Sequence, residues 1–316
     1  MAKMKFGIQT SINGVSWREL ADFWRFLDRE TAFNSAWTFD HFVSPGAGQD
    51  PHGPCFEGWT SLTALAAITQ RIRLGCLVTG VTYREPGVLA KMAATVDHVS
   101  DGRLEFGIGA AWHEQEHRMF GIPFPPVRER QDRLEEATQL IRLLFESEGP
   151  VDFTGRYYTL QQAYFQPKCV QKPHPPIMVG GGGEKRTLRT LVRYGDVMNV
   201  SGTPEQVRAK IAVVEEHCRD AGRDPSEIRK TAFTPVIVSD NARLIERVAT
   251  MIAQGAGMTP AEAQRVSPIG DAAHVREVVG RYAEVGVDEI IMMAQAPFKP
   301  DVYARINEQV VAPLAG

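Results

Sequence analysis

The sequence predicts a (β/α)8 barrel, an α/β fold in which eight parallel strands alternate with helices. Eight β-rich runs occur along the chain, helical patterns separate them, and no linker or low-complexity tract divides the 316 residues. Barrels of this kind often reach this length as one domain. We therefore expect a single domain over residues 1–316, with an insertion at about 149–176.

The predicted strands are short runs rich in β-branched and aromatic residues. They are Lys5–Thr10, Ala36–Phe39, Ile72–Thr79, Leu104–Gly109, Pro176–Gly180, Asp196–Ser201, Thr231–Ser239 and Glu289–Met293. Strands that alternate with helices form parallel βαβ units, which are either doubly wound or closed into a barrel. Eight units is the number that closes a barrel.

Apolar residues recur at helical spacing between these runs, as at Trp17, Leu20, Trp24 and Leu27. Other residues mark where the helices begin and end. Ser16 and Thr203 are expected N-caps and Pro86 a first helical residue, while Gly222 and Gly286 are expected stops.

Two segments interrupt the alternation. Residues 41–56 are rich in Gly and Pro and predict a long loop over one barrel end. Residues 149–176 predict a hairpin-like insertion that turns at Thr154 and Gly155. Long loops that follow barrel strands are where sites are built.

Composition excludes several classes of protein. The net charge of −3 and pI near 6.3 argue against a general nucleic-acid or membrane surface. No apolar run reaches the roughly 18 residues of a membrane span. Cys55, Cys76, Cys169 and Cys218 include no CxxC pair and fit a reducing compartment. We expect a cytoplasmic protein without nucleic-acid or membrane partners.

Residues 113–117 read His-Glu-Gln-Glu-His and match the HExxH motif of zinc proteases. The two histidines can bind Zn²⁺ when they lie one helical turn apart, with Glu114 as general base. However, the motif follows a predicted strand almost directly, and Phe120 and Pro123 replace the Gly and His of the metzincin motif. A zinc hydrolase remains an alternative from another class, and we expect no metal site.

Two glycine-rich segments follow predicted strands. Residues 107–112, GIGAAW, imitate the dinucleotide fingerprint GxGxxG, but Trp112 replaces the third glycine. Small residues here more simply let a ligand or helix approach.

The second segment is Gly180, Gly181, Gly182 and Gly183, which precedes a helix. Its open N–H groups and the positive helix end suit a phosphate. Without a ligand it would be a flexible turn.

Asp40 and His41 follow the second predicted strand, at the C-terminal face where barrel enzymes place their chemistry. His exchanges protons near neutral pH, and Asp can fix the tautomer of a neighbouring His. A lone His is more often structural, but this position favours a functional role.

Together these segments resemble the bacterial-luciferase-like superfamily, and within it the branch of oxidoreductases that depend on the deazaflavin coenzyme F420. The segments are KFGIQT, AWTFDHF, the block from Arg71 to Pro126, FTGRYYTLQQA and PHPPIMVGGGG. The resemblance runs in order from Lys5 to Ser201. Beyond Ser201 it extends to barrel architecture only.

The resemblance implies a tricyclic ring in the barrel mouth, its phosphate near the four glycines. It also implies a non-proline cis peptide at Leu77–Val78 that supports the ring, and an Asp-His pair near the hydride-carrying carbon. The implied cofactor-binding residues are Asp40, Leu77, Val78, Thr79, Gly109, Ala110, Trp112, Gln115, Gly180, Gly181, Gly182, Gly183 and Ser201.

The chain departs from the family pattern at two positions. Relatives that use FMN often place a basic residue where this chain has Ala110, which favours F420 over FMN. Sugar-phosphate dehydrogenases of the branch have an acidic residue where this chain has Trp112. An apolar Trp in the mouth suits a less polar substrate.

The sequence therefore predicts hydride transfer between coenzyme F420 and an unidentified small organic substrate. His41 is the expected proton donor or acceptor, and Asp40 orients it or bonds the ring. An FMN-dependent monooxygenase that works with a separate reductase is the alternative within the fold. A cofactor-binding protein without turnover is a third possibility. We expect a homodimer.

Overall fold

Nine parallel strands close into a barrel in the computed structural model, which describes residues 4–45 and 50–315. Around the barrel the strands run in the order β3-β2-β1-β13-β10-β9-β8-β5-β4, and β3 also pairs with β5 to complete the closure. Because β3 and β4 are two parts of one barrel strand, the predicted (β/α)8 barrel is confirmed.

The strand bounds are β1 Lys5–Thr10, β2 Ser35–Thr38, β3 Arg73–Cys76, β4 Thr79–Gly80, β5 Leu104–Gly109, β6 Val151–Thr154, β7 Thr159–Ala163, β8 Ile177–Gly180, β9 Val197–Ser201, β10 Arg229–Phe233, β11 Ile237–Val238, β12 Ile269–Gly270 and β13 Glu289–Ala294. The helices are α1 Trp17–Glu30, α2 Gly58–Ile68, α3 Pro86–Val99, α4 Glu114–Met119, α5 Val127–Glu146, α6 Thr187–Tyr194, α7 Pro204–Ala221, α8 Ala242–Ala256, α9 Pro260–Val266, α10 Ala272–Glu284, α11 Pro300–Ile306 and α12 Ala312–Leu314. A 3-10 turn at Pro225–Glu227 and a π-helical turn at Asn307–Val311 complete the set. No described helix has the length and apolarity to cross a membrane.

Several residues predicted to begin or end helices do so in the structure. Ser16 and Thr203 form capping boxes, in which each side chain accepts from a backbone N–H three residues later. Pro86 begins α3. Gly222 ends α7 with a φ of 66°, a left-handed conformation that favours glycine.

Two predicted strands are wrong in extent. The third was expected to be continuous from Ile72 to Thr79, but it is interrupted at residues 77 and 78. The seventh was expected to reach Ser239, but it leaves the barrel after Phe233. Pro235 has no N–H for the sheet, and beyond it β11 pairs with β12 instead.

A second hydrophobic cluster lies inside the barrel, apart from the main core between the strands and the helices. It takes one residue from each of several strands and from the interruption of the third strand, namely Trp37, Leu77, Met178, Val197 and Ile291. Since Leu77 also reaches the barrel mouth, this cluster forms the support beneath it.

The predicted hairpin insertion is present, with β6 and β7 antiparallel. Glu136 of α5 holds its turn, because the carboxylate accepts from the N–H groups of Arg156, Tyr157 and Tyr158 at 3.0, 2.9 and 2.7 Å. The insertion is therefore fixed against the outside of the barrel. Of the other predicted loop, 41–56, residues 46–49 lie outside the described part of the chain.

Asp28 joins α1 to the start of the third strand. Its buried carboxylate accepts from the N–H groups of Gln70, Arg71 and Ile72 at 3.0, 2.8 and 2.9 Å. Burial by itself would raise the pKa of Asp28, but these N–H groups outweigh it and hold the pKa below the ordinary 3.8.

We expect Asp28→Asn to lower the free energy of unfolding by about 1–3 kcal/mol at neutral pH, because the amide cannot accept all three hydrogen bonds. The carboxylate's contribution is present above about pH 4 and is lost as the pH falls through the lowered pKa, so the difference between the proteins should shrink in acid. Urea unfolding at two pH values measures it. Asp22→Asn, at a 63% exposed side chain on the same helix, is the control. Equal losses in both variants would contradict the assignment.

Candidate active site

A cavity of about 500 Å³ opens at the C-terminal end of the barrel strands. This volume lies within the usual range for ligand sites. Its walls come from six strand ends and the loops that follow them. They are formed by Gln9, His41, Leu77, Val78, Thr79, Gly80, Tyr83, Gly109, Ala110, Ala111, Trp112, Gln131, Gly180, Gly181, Gly182, Gly183, Thr187, Asn199, Ser201 and Phe233.

Most of the residues predicted from the sequence meet in this cavity. Those that line it are His41, Leu77, Val78, Thr79, Gly109, Ala110, Trp112, Gly180, Gly181, Gly182, Gly183 and Ser201. Two lie elsewhere: Asp40 is buried beneath the loop, and Gln115 is on the exposed face of α4. For Gln115 the helix geometry explains the difference, because the next residue takes the inward position.

The interruption of the third strand forms one wall of the cavity. The Leu77–Val78 peptide is cis, as the resemblance implied. Gln9 supports this wall, since its Nε2 donates to the Leu77 carbonyl at 2.8 Å. A Cβ on Gly109 would lie 2.8 Å from a Val78 methyl group, and one on Gly180 would lie 2.7 Å from it. These two glycines are therefore required by the packing of Val78, a reason that the fingerprint-like pattern did not reveal.

The glycine loop presents backbone donors at the edge of the cavity. The Gly181 N–H donates to the Asn199 carbonyl at 3.0 Å, and Gly181 has a φ of 118°. Within the described part of the chain, the N–H groups of Gly182 and Gly183 have no acceptor, so a ligand can use them. Helix α6 begins at Thr187, which also lines the cavity, and its N-terminus adds positive potential.

His41 is held by Glu116 of α4. Its Nδ1 lies 2.7 Å from Glu116 Oε1, and the Phe42 N–H donates to Oε2 at 2.9 Å. Tyr83 also donates its hydroxyl to Oε1. Burial would raise the pKa of Glu116, but hydrogen bonds from His41, Tyr83 and Phe42 outweigh it and lower the pKa. An ionised Glu116 thus fixes the ring of His41 and leaves Nε2 for a ligand.

The expectation that Asp40 orients His41 is wrong in this structure, because Asp40 faces Arg84. The Arg84 guanidinium donates to both carboxylate oxygens, at 2.7 and 3.0 Å, and also to Glu57. Burial raises the pKa of Asp40 although Arg84 acts to lower it. Such a carboxylate needs its cation, so Asp40 holds the loop that carries His41 and does not itself reach the cavity.

The HExxH motif does not form a zinc site of the protease type. Both ring nitrogens of His117 are engaged, Nε2 with the Thr82 hydroxyl at 2.6 Å and Nδ1 with the His113 carbonyl at 2.8 Å. Burial lowers the pKa of His117 and keeps it neutral. The motif instead turns its second Glu, Glu116, towards His41.

Charge is distributed unevenly around the cavity. None of the described lining residues is Lys or Arg. A groove beyond Gly182 and Gly183 carries four cations, Arg128, Lys185, Arg186 and Lys210. Lys210 pairs with Glu184 and Arg186 with Asp132, whereas Arg128 and Lys185 have no carboxylate partner within the described residues. An anionic extension of a ligand can therefore follow this groove.

The barrel, the interrupted third strand and the glycine loop together define a luciferase-like barrel with a ligand cavity in its mouth. Residues 4–289 match the profile of the luciferase-like monooxygenase family. The chain belongs to this family.

Relatives within the family differ in activity. An F420-dependent glucose-6-phosphate dehydrogenase of Kineococcus radiotolerans is 37% identical over 232 residues, which are 72% of this chain and 66% of the relative. A pyrimidine monooxygenase of Allorhizobium ampelinum is 30% identical over 175 residues, 53% of this chain and 46% of the relative. The chain spans about half to two thirds of the length of the curated relatives that it matches.

Solved structures share the fold. An F420-dependent secondary alcohol dehydrogenase in complex with an F420-acetone adduct superposes with a TM-score of 0.81 at 21% identity. The match covers 98% of this chain and 99% of that one.

Sequence reasoning missed several residues of the site. They are Gln9, Gly80, Tyr83, Arg84, Ala111, Glu116, Gln131, Thr187, Asn199 and Phe233. For Gln9 and Asn199 a usable signal existed, since both are polar residues at or near the C-terminal ends of buried strands. For Gln131 none existed, because it lies on a helix whose facing partner is unknown before folding.

A substitution at Gly182 should test whether the glycine loop binds a phosphate. A Cβ there would lie 3.5 Å from Lys210, an ordinary contact, so Gly182→Ala should be tolerated. Gly182→Asp adds a negative charge beside the free N–H groups and should weaken binding ten- to a hundredfold, about 1.5–3 kcal/mol. Fluorescence titration with coenzyme F420 and with FMN measures the loss. If Asp and Ala variants bind alike, the loop is only a turn.

Proposed function

We propose that this protein is an oxidoreductase that transfers a hydride between coenzyme F420 and a small, largely apolar organic molecule. The observation that carries the proposal is the neutral cavity with its glycine loop, which leads into a cationic groove. The F420-dependent relative supports the same assignment.

The cavity and groove suit the shape and charge of F420. The tricyclic ring would lie against Leu77, Val78 and Thr79, and its phosphate would accept from the N–H groups of Gly182 and Gly183. F420 continues beyond its phosphate into a lactyl-glutamate tail, whose carboxylates Arg128 and Lys185 can pair with. The phosphate of FMN would end at the loop, without a cation in the cavity.

Bound F420 supplies the hydride chemistry, and the chain supplies position and a proton. His41 is the only histidine among the described lining residues, and Glu116 holds its ring. His41 Nε2 would give a proton to the oxygen of a carbonyl group whose carbon receives the hydride, or take the hydroxyl proton of an alcohol whose carbon loses the hydride. Glu116 is a positioning residue, because its carboxylate holds Nδ1 of the His41 ring.

Trp112 indicates the kind of substrate. Its side chain is 60% exposed at the mouth and lies edge-on to His41, with 5.3 Å between ring centroids. A substrate within reach of His41 would contact this indole, which favours an apolar group.

A monooxygenase is the second candidate function, supported by the pyrimidine monooxygenase relative, and FMN would be its cofactor. The two candidate functions predict different cofactors, F420 for the first and FMN for the second.

We expect F420 to bind at least tenfold more tightly than FMN, a gap of about 1.4 kcal/mol. The reason is that Ala110 stands where a cation would be needed for the FMN phosphate, while the groove cations serve the F420 tail. Separate titrations of the purified protein measure both affinities. Ala110→Arg should narrow the gap by improving FMN, whereas Ala110→Gln, of similar length without charge, should not. Tight FMN binding with no F420 affinity would defeat the assignment.

We expect His41→Ala to lower kcat by about 10²–10⁴ while F420 affinity changes less than threefold, because general acid–base catalysis contributes on that scale. Cofactor absorbance would be followed with a panel of apolar secondary alcohols and of their ketones. His52→Ala, at an exposed histidine on the loop that follows His41, is the control. Unchanged turnover in His41→Ala would remove its assigned role.

A further inference from the structure

Two imidazoles and one carboxylate meet beside the cavity, at His41, His113 and Glu116. Their potential ligand atoms all lie within 4.8 Å of one another. Glu116 Oε1 is 2.7 Å from His41 Nδ1 and 3.5 Å from His113 Nδ1. His113 is the N-cap of α4 and Glu116 lies one turn later in that helix, whereas His41 comes from the loop after β2 and joins them only in the folded barrel.

One of these atoms lacks a partner. His113 Nδ1 is buried and forms no hydrogen bond with any described residue. A buried ring nitrogen without a partner indicates a missing water or ion. The side chain of His113 is 15% exposed and that of Glu116 is fully buried, so the site is small and shielded.

Other groups orient the carboxylate from behind. Tyr83 donates to Glu116 Oε1, and the Phe42 N–H donates to Oε2 at 2.9 Å. Hydrogen bonds of this kind hold metal-binding carboxylates in a fixed direction. These two donors engage the carboxylate from other sides and leave it directed at the two imidazoles.

The spacing suits a small ion. Ligand atoms at about 2.0–2.1 Å from a tetrahedral Zn²⁺ lie about 3.3 Å apart. The contact between His113 and Glu116 already has this length. The shorter contact between His41 and Glu116 has to open by roughly half an ångström, which follows when an ion replaces the proton that they share.

We propose that His41, His113 and Glu116 form a binding site for a divalent transition-metal ion such as Zn²⁺. Two imidazoles select zinc, cobalt or nickel over magnesium and calcium, which prefer oxygen ligands. The site uses only one histidine of the HExxH motif, since His117 is engaged elsewhere. The site therefore offers three protein ligands, which leaves one position of a tetrahedral ion for water.

Binding of the ion would take His41 out of proton transfer. The ion occupies the ring nitrogen that Glu116 now holds, so the carboxylate no longer positions the ring for the proton transfer proposed above. Zn²⁺ is therefore an inhibitor that a chelator reverses. This consequence, unlike the site itself, rests on the proposed function.

Cobalt titration of the full-length, chelator-treated protein, without cofactor, tests the site. Co²⁺ bound by nitrogen and oxygen ligands absorbs in the visible range, and we expect saturation at one ion per chain and displacement by Zn²⁺. His41→Ala and His113→Ala should each weaken Co²⁺ binding more than a hundredfold, because each removes a ligand. Both side chains lie in loops, and circular dichroism verifies that the variants fold.

His98→Ala is the matched control, since this exposed histidine on α3 should leave Co²⁺ affinity unchanged. Absence of a saturable spectrum in the wild-type protein would overturn the proposal. An unchanged affinity in His41→Ala would also overturn it, because the ion would then belong to the HExxH pair. If F420 does not bind, but Co²⁺ saturates the wild-type protein and binds both variants more weakly, the proposed function fails and the metal site stands.

Discussion

The buried carboxylate of Glu116 determines the arrangement of the barrel mouth. It accepts hydrogen bonds from His41, from the Phe42 backbone and from Tyr83. These contacts join the loops that follow β2 and β4 to helix α4. A buried carboxylate is costly unless donors surround it, and here the donors come from separate segments. The position of His41 therefore depends on the closed barrel, which brings these segments together.

Much of the fold could be predicted because its signals are local. Hydrophobic periodicity, N-caps and strand-like runs each span only a few residues, and they gave all eight barrel strands and the hairpin insertion. The two errors in strand extent lie where the third strand is interrupted and where the seventh strand leaves the barrel. Pro235 removes a sheet donor and ends the seventh strand, but its effect depends on whether a neighbour needs that donor. The interruption at Leu77 became predictable only through the family resemblance.

The site was predicted less completely, because its contacts join residues far apart in sequence. The adjacency of Asp40 and His41 predicted a pair, yet the two side chains diverge, one towards Arg84 and the other towards Glu116. Neither partner carries a local signal. The HExxH pattern suggested a zinc site formed by its two histidines, whereas its contribution to the site comes from Glu116 and from the segment around His113. The glycine loop was easier to recognise, because four consecutive glycines are a local signal in the sequence.

The hairpin insertion has a consequence for how ligands enter and leave. Glu136 of α5 accepts hydrogen bonds from three backbone N–H groups of its turn, so the insertion is held in place against this helix. None of its described residues lines the cavity, so ligands can enter without movement of the insertion, at a mouth where the indole of Trp112 is exposed. Substitution of this exposed side chain can therefore change which substrates fit while the barrel and the insertion keep their packing.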